Sequence, residues 1–78
     1  MTYWNYRIMR REYSRGKFCY AIHEVFYSAK GKAWGCTKDE VSPSGETLKG
    51  LEADFKLYAQ ALRRPVLDYK SPHKEIND

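Results

Sequence analysis

The stretch Phe18–Tyr27 constrains this chain more than any other feature, because it is apolar on both sides of a two-residue period. One side carries Phe18, Tyr20, Ile22, Glu24 and Phe26; the other carries Cys19, Ala21, His23, Val25 and Tyr27. Aromatic and β-branched residues in such a run specify a strand. A strand covered on one face only should show one apolar and one polar side. This one has apolar matter to bury on both. The chain has 78 residues, enough for one core and not for two. The second side must therefore be covered from within one small domain or by another molecule.

The neighbouring segments say what is at hand. Residues 3–9 alternate, with Trp4, Tyr6 and Ile8 on one side and Tyr3, Asn5, Arg7 and Met9 on the other, which predicts a first strand. Arg10 to Lys17 is charged and holds Ser14 and Gly16, so a loop or a loose hairpin end is expected there. Ser28-Ala29-Lys30-Gly31 reads as a tight connection with Gly31 at positive φ. Lys32 to Thr37 is a shorter third strand. Pairing Tyr27 with Lys32 sets Val25 opposite Trp34 and His23 opposite Cys36. Lys38 to Glu46, with Ser42, Pro43, Ser44 and Gly45, is irregular.

Leu48, Leu51, Phe55, Tyr58 and Leu62 then fall at alternating steps of three and four. That spacing predicts one amphipathic helix over 47–64, capped by Thr47 or Ser44 and ended by Pro65. A close approach to the sheet would favour Gly50. Val66 and Leu67 either add a short fourth strand or simply pack. The expected fold is α+β: a three-stranded antiparallel meander followed by one long helix on one sheet face. The domain is expected over 1–70, with 71–78 a polar, flexible tail.

One helix covers one face of the sheet. The expected register sends it to the side with the small residues Cys19 and Ala21. The opposite side then carries an uncovered surface of Tyr3, Arg7, Tyr20, Ile22, Glu24 and Phe26, with Arg7 pairing Glu24 across the strands. A bulge or one-residue slip would exchange the two faces. Uncovered apolar surface of this kind marks an interface, so these six residues are the candidate partner-binding site.

Charge points to the same end of the chain. Residues 1–38 hold eight basic and two acidic side chains, whereas residues 39–78 hold six and eight. Nine of the twelve aromatics lie at or before Trp34, so the first half is both basic and aromatic. Arg10, Arg11, Arg15 and Lys17 are candidate anion-binding residues. The same cations also deter edge-to-edge aggregation of a sheet.

Other classes are set aside by absence of their signals. The mean hydropathy of -0.78 and the lack of any run of roughly 18 apolar residues argue against a membrane span. The N-terminus has no apolar signal core, and Cys19 and Cys36 are too few for a disulfide framework; a reduced, cytoplasmic protein is expected. There is no phosphate-binding loop, nucleophile elbow or zinc-protease motif. His23 with Cys36 resembles a base and nucleophile only on paper, and Cys19, His23 and Cys36 lack a fourth zinc ligand. A non-enzymatic protein with no cofactor and no metal is expected.

The segments Trp4-Asn5-Tyr6-Arg7, Tyr20 to Tyr27, Val41 to Thr47 and Pro65-Val66-Leu67-Asp68-Tyr69 resemble a family of short bacterial and phage proteins that has no assigned activity. The strand–strand–strand–helix order, with Gly35-Cys36 before the loop and Gly45-Glu46-Thr47-Leu48 at the helix start, is similar over a short stretch to HicB-like antitoxin domains. That resemblance implies a sheet-and-helix unit that binds a toxin. HicB-like domains usually add a DNA-binding segment, for which there is no room here. Phage proteins of this size also include inhibitors of host defence, such as anti-CRISPR proteins, that act by steric binding. The leading expectation is a small protein-binding module of inhibitor or antitoxin type. The alternatives are a single-stranded nucleic-acid binder using sheet aromatics and Arg/Lys, and a homodimer closed by the spare face.

Overall fold

The computed structural model describes residues 3–76. It contains β1 (Tyr3–Ser14), β2 (Lys17–Tyr27), β3 (Ala33–Cys36), α1 (Leu48–Ala61), β4 (Val66–Asp68) and β5 (Glu75–Ile76). The strands form one mixed sheet in the order β3-β2-β1-β4-β5, with β4 parallel to β1 and the other pairs antiparallel. The α+β class and the initial meander are as the sequence predicts. β4 is the short fourth strand, and β5 is an addition. The segment expected as a loose tail turns back through Ser71–Lys74, where Lys74 N–H donates to Ser71 O and Asp68 N–H to Lys74 O, and then pairs with β4. Residues 77 and 78 lie outside the described residues. Among the described residues no helix is long and apolar enough to cross a membrane.

Arg10–Lys17 is a hairpin end, paired rather than loose, and not a loop. β1 and β2 stay paired from Tyr3–Tyr27 out to Ser14–Lys17, with one irregularity between Glu12 and Ser14. The turn needs only Arg15 and Gly16, since Gly16 takes φ 75°, a region costly for residues with a Cβ. Charged side chains at Arg11 and Glu12 suit a strand whose two faces are both wet. From Glu12 to Tyr20 every residue is exposed, so the hairpin projects as a two-stranded ribbon. It lengthens the molecule to 39 Å, with a radius of gyration of 13.1 Å, against about 11.5 Å for a compact chain of this length.

The β2–β3 register also differs from expectation. Val25 opposes Cys36, Phe26 opposes Gly35 and Tyr27 opposes Ala33, with an irregularity between Phe26 and Tyr27. The hairpin is closed at Ser28, whose N–H donates to Lys32 O at 2.9 Å. Trp34 therefore stands off the pairing and stacks on Phe26 with ring centres 5.6 Å apart.

In the first hairpin Tyr3 opposes Tyr27, Arg7 opposes His23 and Tyr6 opposes Glu24. Tyr3, Arg7 and Met9 thus share a face with Cys19, Ala21, His23, Val25 and Tyr27, while Tyr6 and Ile8 share the other with Ile22 and Glu24. The helix lies on this second face: the Tyr58 ring stacks on Tyr6 at 4.0 Å, and Tyr6 Oη donates to Asp54 Oδ1 at 3.2 Å. This is the reverse of the expected arrangement.

The helix-free face holds the main core, made of Met9, Val25, Tyr27, Ala33 and Leu67 with Cys36 and Tyr69 packed against it. It is covered because the sheet curls onto itself. Tyr69, just beyond β4, donates its hydroxyl to Lys38 O, just beyond β3, at 3.1 Å. Those two points lie on opposite margins of the sheet with β1 and β2 between them, so the bond closes a trough. Arg11 lies over the Tyr69 ring at 4.2 Å. The second apolar side of β2 is thus buried by twist and curl, not by another molecule.

Helix α1 begins as the sequence predicts, with Thr47 Oγ1 accepting from Gly50 N–H at 3.0 Å. It ends at Ala61, three residues before the expected limit, and tightens through Leu62, Arg63 and Arg64, whose N–H groups reach Ala59, Gln60 and Ala61 carbonyls. Gly50 is exposed and faces Thr47 Oγ1 and Gly45 rather than the sheet. The close approach is at Gly45, where a Cβ would collide with the Leu51 backbone.

Candidate interaction surfaces

The rotation of α1 about its axis decides which apolar residues are left outside. Tyr58 and Ala61 are buried, and Leu51 and Asp54 are half-buried. Asp54 fixes this rotation by accepting from Tyr6 Oη and, through Oδ2, from Ser44 N–H at 2.9 Å. The rest of the predicted stripe is displaced to the flank: Leu48, Phe55 and Leu62 keep 72%, 56% and 73% of their surface exposed. Their seven-residue spacing sets them in one line along the helix. Phe55 and Leu62 of that line border a groove of about 420 Å³. One wall is Phe55, Ala59 and Leu62; the other is Ile22 with Val41 and Pro43 from the irregular segment. Val41 is held there by its N–H bond to Ile22 O.

Beneath the groove the helix–sheet contact is aromatic, with Tyr6 stacked on the buried Tyr58. Burial, reinforced by Tyr58 and by the Asp54 carboxylate, pushes the Tyr6 phenol well above its ordinary range. Burial likewise raises Tyr58. Tyr6 Oη stays protonated and is the donor to Asp54. Burial also raises the Cys36 thiol, against a smaller opposing pull from Arg11, which works against a thiolate nucleophile.

The six residues expected to form one partner surface are divided by the sheet. Tyr20, Ile22, Glu24 and Phe26 lie on the helix-bearing face. Tyr3 and Arg7 lie on the other, with Tyr3 stacked on Tyr27 at 4.8 Å. Arg7 is only 8% exposed. Its Nη1 donates to Tyr27 Oη at 2.9 Å and its Nη2 to Pro65 O at 2.7 Å, while Nε is buried without a partner. Tyr27 Oη in turn donates to Asn5 Oδ1 at 2.8 Å. Arg7 thus joins β1, β2 and the start of β4, and the expected Arg7–Glu24 pair does not form across the sheet plane.

His23 and Cys36 are not registered with each other either. His23 is 1% exposed, and its Nδ1 donates to the Thr37 carbonyl at 3.0 Å. Cys19 lies on the exposed ribbon. Among the described residues no three His, Cys, Asp or Glu side chains converge on a metal site.

The four cations Arg10, Arg11, Arg15 and Lys17 are carried on the projecting ribbon or at its root. Arg10 lies over the Phe18 ring at 4.4 Å, and Arg11 donates to Lys38 O at 3.2 Å. Arg15 occupies the turn and Lys17 follows it. Glu12 is exposed and reaches the turn, its Oε2 accepting from Gly16 N–H at 2.9 Å. Tyr13, Phe18 and Tyr20 are all exposed.

Sequence reasoning passed over Val41, Pro43 and Ala59 as site residues. The signal available was the helix itself, whose apolar arc is too wide for one contact line: Leu57, on the far side of Tyr58, is exposed as well. Among the described residues, fold and surfaces together define a small α+β domain with a five-stranded mixed sheet, one helix and an apolar groove beside it. Comparison with protein-family models, curated proteins and solved structures found no match.

Proposed function

We propose that this chain is a small non-enzymatic protein-binding module that acts by steric occupation, in the manner of an inhibitor or an antitoxin-like domain. The observation that carries this reading is the exposed line Leu48, Phe55 and Leu62, of which Phe55 and Leu62 border a groove with an almost wholly apolar lining. Apolar side chains massed at one site, with aromatic anchors and a polar surround, are what protein interfaces are built from. Lys49, Lys56 and Arg63 lie on the outer side of α1 beyond Glu52, a balance of +2 that suits a partner with acidic residues around an apolar ridge.

The test is affinity capture from a lysate of the encoding organism, after nuclease treatment, with three baits. The wild type and a Lys30→Ala control, exposed in the connection between β2 and β3, should retain one stoichiometric protein, and Leu62→Asp should lose it while keeping its folded circular-dichroism spectrum. Equal retention by Leu62→Asp would remove the groove from the interface. Sedimentation of the purified chain separates a foreign partner from a second copy.

A further inference from the structure

We propose that a pocket at the Tyr27 end of the trough binds a short aliphatic carboxylate, with Arg7 supplying the charge that holds it. The pocket measures about 160 Å³ and is lined by Arg7, Tyr27, Ala33 and Leu67 of the face turned away from α1, so it stands apart from the groove. Arg7 is the residue that points to a ligand. It is buried, and its two hydrogen-bond partners, Tyr27 Oη and Pro65 O, are both neutral. Its Nε has no acceptor at all. Glu75 lines the same pocket but makes no ion pair with Arg7, and neither does any other carboxylate among the described residues. Removing a charge from water is costly, and buried charges are ordinarily paired for that reason. A guanidinium in this state beside an open pocket is short of an anion.

The lining selects the anion. Lys32 stands on the β2–β3 connection and His73 on the β4–β5 connection, and both line the pocket. Each connection is pinned by its own backbone. Ser28 N–H donates to Lys32 O and Gly31 N–H to Ser28 O, both at 2.9 Å, and Lys74 N–H donates to Ser71 O at 2.8 Å. The pocket thus has nitrogen-bearing side chains from two fixed turns beside a buried guanidinium. Arg7 and Lys32 against Glu75 leave a balance of +1 with His73 neutral. One carboxylate matches that balance, whereas a doubly charged phosphate exceeds it. Ala33, Leu67 and Pro72 add apolar surface for a short alkyl chain. The volume is the share of roughly five waters in the liquid, which suits a molecule the size of propionate and is too small for a nucleotide.

The experiment is an NMR titration of the full, isotope-labelled chain in which sodium chloride is replaced mole for mole by sodium propionate. Propionate should shift the Arg7 Nε–H resonance and the Gly31, Lys32 and Glu75 amides together, with one Kd on the order of 1–10 mM, as the size of the ligand permits. Propionamide, its neutral isostere, should leave all four unmoved. Lys32→Gln should weaken binding roughly fivefold, and Lys32→Arg should restore it. Lys30→Gln makes the same change of charge in the same connection but outside the pocket lining, and should leave binding within about twofold. Arg7→Met, which removes the charge and keeps most of the volume, should weaken binding at least about tenfold. If that variant does not fold, the Lys32 variants and propionamide decide the matter. No shift at the highest propionate concentration, equal shifts with propionamide, equal loss in Lys30→Gln and Lys32→Gln, or tighter binding of inorganic phosphate than of propionate would each overturn the proposal.

Discussion

Arg7 shows how a single side chain changes meaning when its surroundings are known. In the sequence it is an exposed cation at the edge of an aromatic surface. In the fold it is a buried guanidinium tied to Tyr27 Oη and Pro65 O, with Nε left without a partner. A buried charge is costly unless its hydrogen bonds are complete, and replacing it by an apolar side chain of similar length is often neutral. Breaking its bonds while keeping the charge is worse. Tyr27→Phe removes the hydroxyl that links Arg7 to Asn5 and should cost about 1–3 kcal/mol. Arg7→Met should cost less than Tyr27→Phe. Urea unfolding of the two variants gives the comparison, and the reverse order would show that the guanidinium is a net stabiliser.

At the scale of the elements, the helix was legible and its orientation was not. Thr47 capping, the three-four spacing and Pro65 placed α1 to within a few residues. The spacing marks an arc of apolar residues, and Leu48, Leu51, Phe55, Tyr58 and Leu62 all belong to it. Which part of the arc meets the sheet is set by Tyr6, which stacks on Tyr58 and donates to Asp54. A polar residue thus pulls the helix round until Phe55 and Leu62 swing to the flank. Tyr58→Ala should therefore cost about 3–5 kcal/mol, the range for buried aromatic truncations, and Phe55→Ala about 1 kcal/mol or less. Thermal unfolding of the two variants measures this directly. The hairpin hid its secret differently: Arg10–Lys17 looks like a loop by composition, yet a two-residue turn at Arg15 and Gly16 lets both strands run on.

Across the whole molecule, stability is concentrated at one end. The trough formed by Met9, Val25, Tyr27, Ala33 and Leu67, with the helix behind it, makes a firm body from which the ribbon extends. Local opening follows burial and pairing. Backbone amides of Glu12 to Tyr20 should exchange with deuterium at least about tenfold faster than those of Ile22 to Tyr27, as hydrogen exchange read by mass spectrometry would show. Equal protection would mean that the ribbon is covered in solution by another copy.

What the sequence by itself determined were the features that depend on near neighbours. These are the α+β class, the strands around Trp4–Met9 and Phe18–Tyr27, the Thr47 cap, the turn at Gly31 with φ 83° and the basic, aromatic character of the first half. Only the tertiary structure decided the faces. A strand apolar on both sides states that two surfaces must be covered, but periodicity carries no sign to say which surface receives the helix. That choice rests on contacts between distant residues: Tyr6 with Asp54 and Tyr58 on one face, and Tyr69 with Lys38 on the other. The second of these lets a single twisted sheet bury its own inner face. The apolar surface that remains outside is consequently the flank of α1, not the sheet.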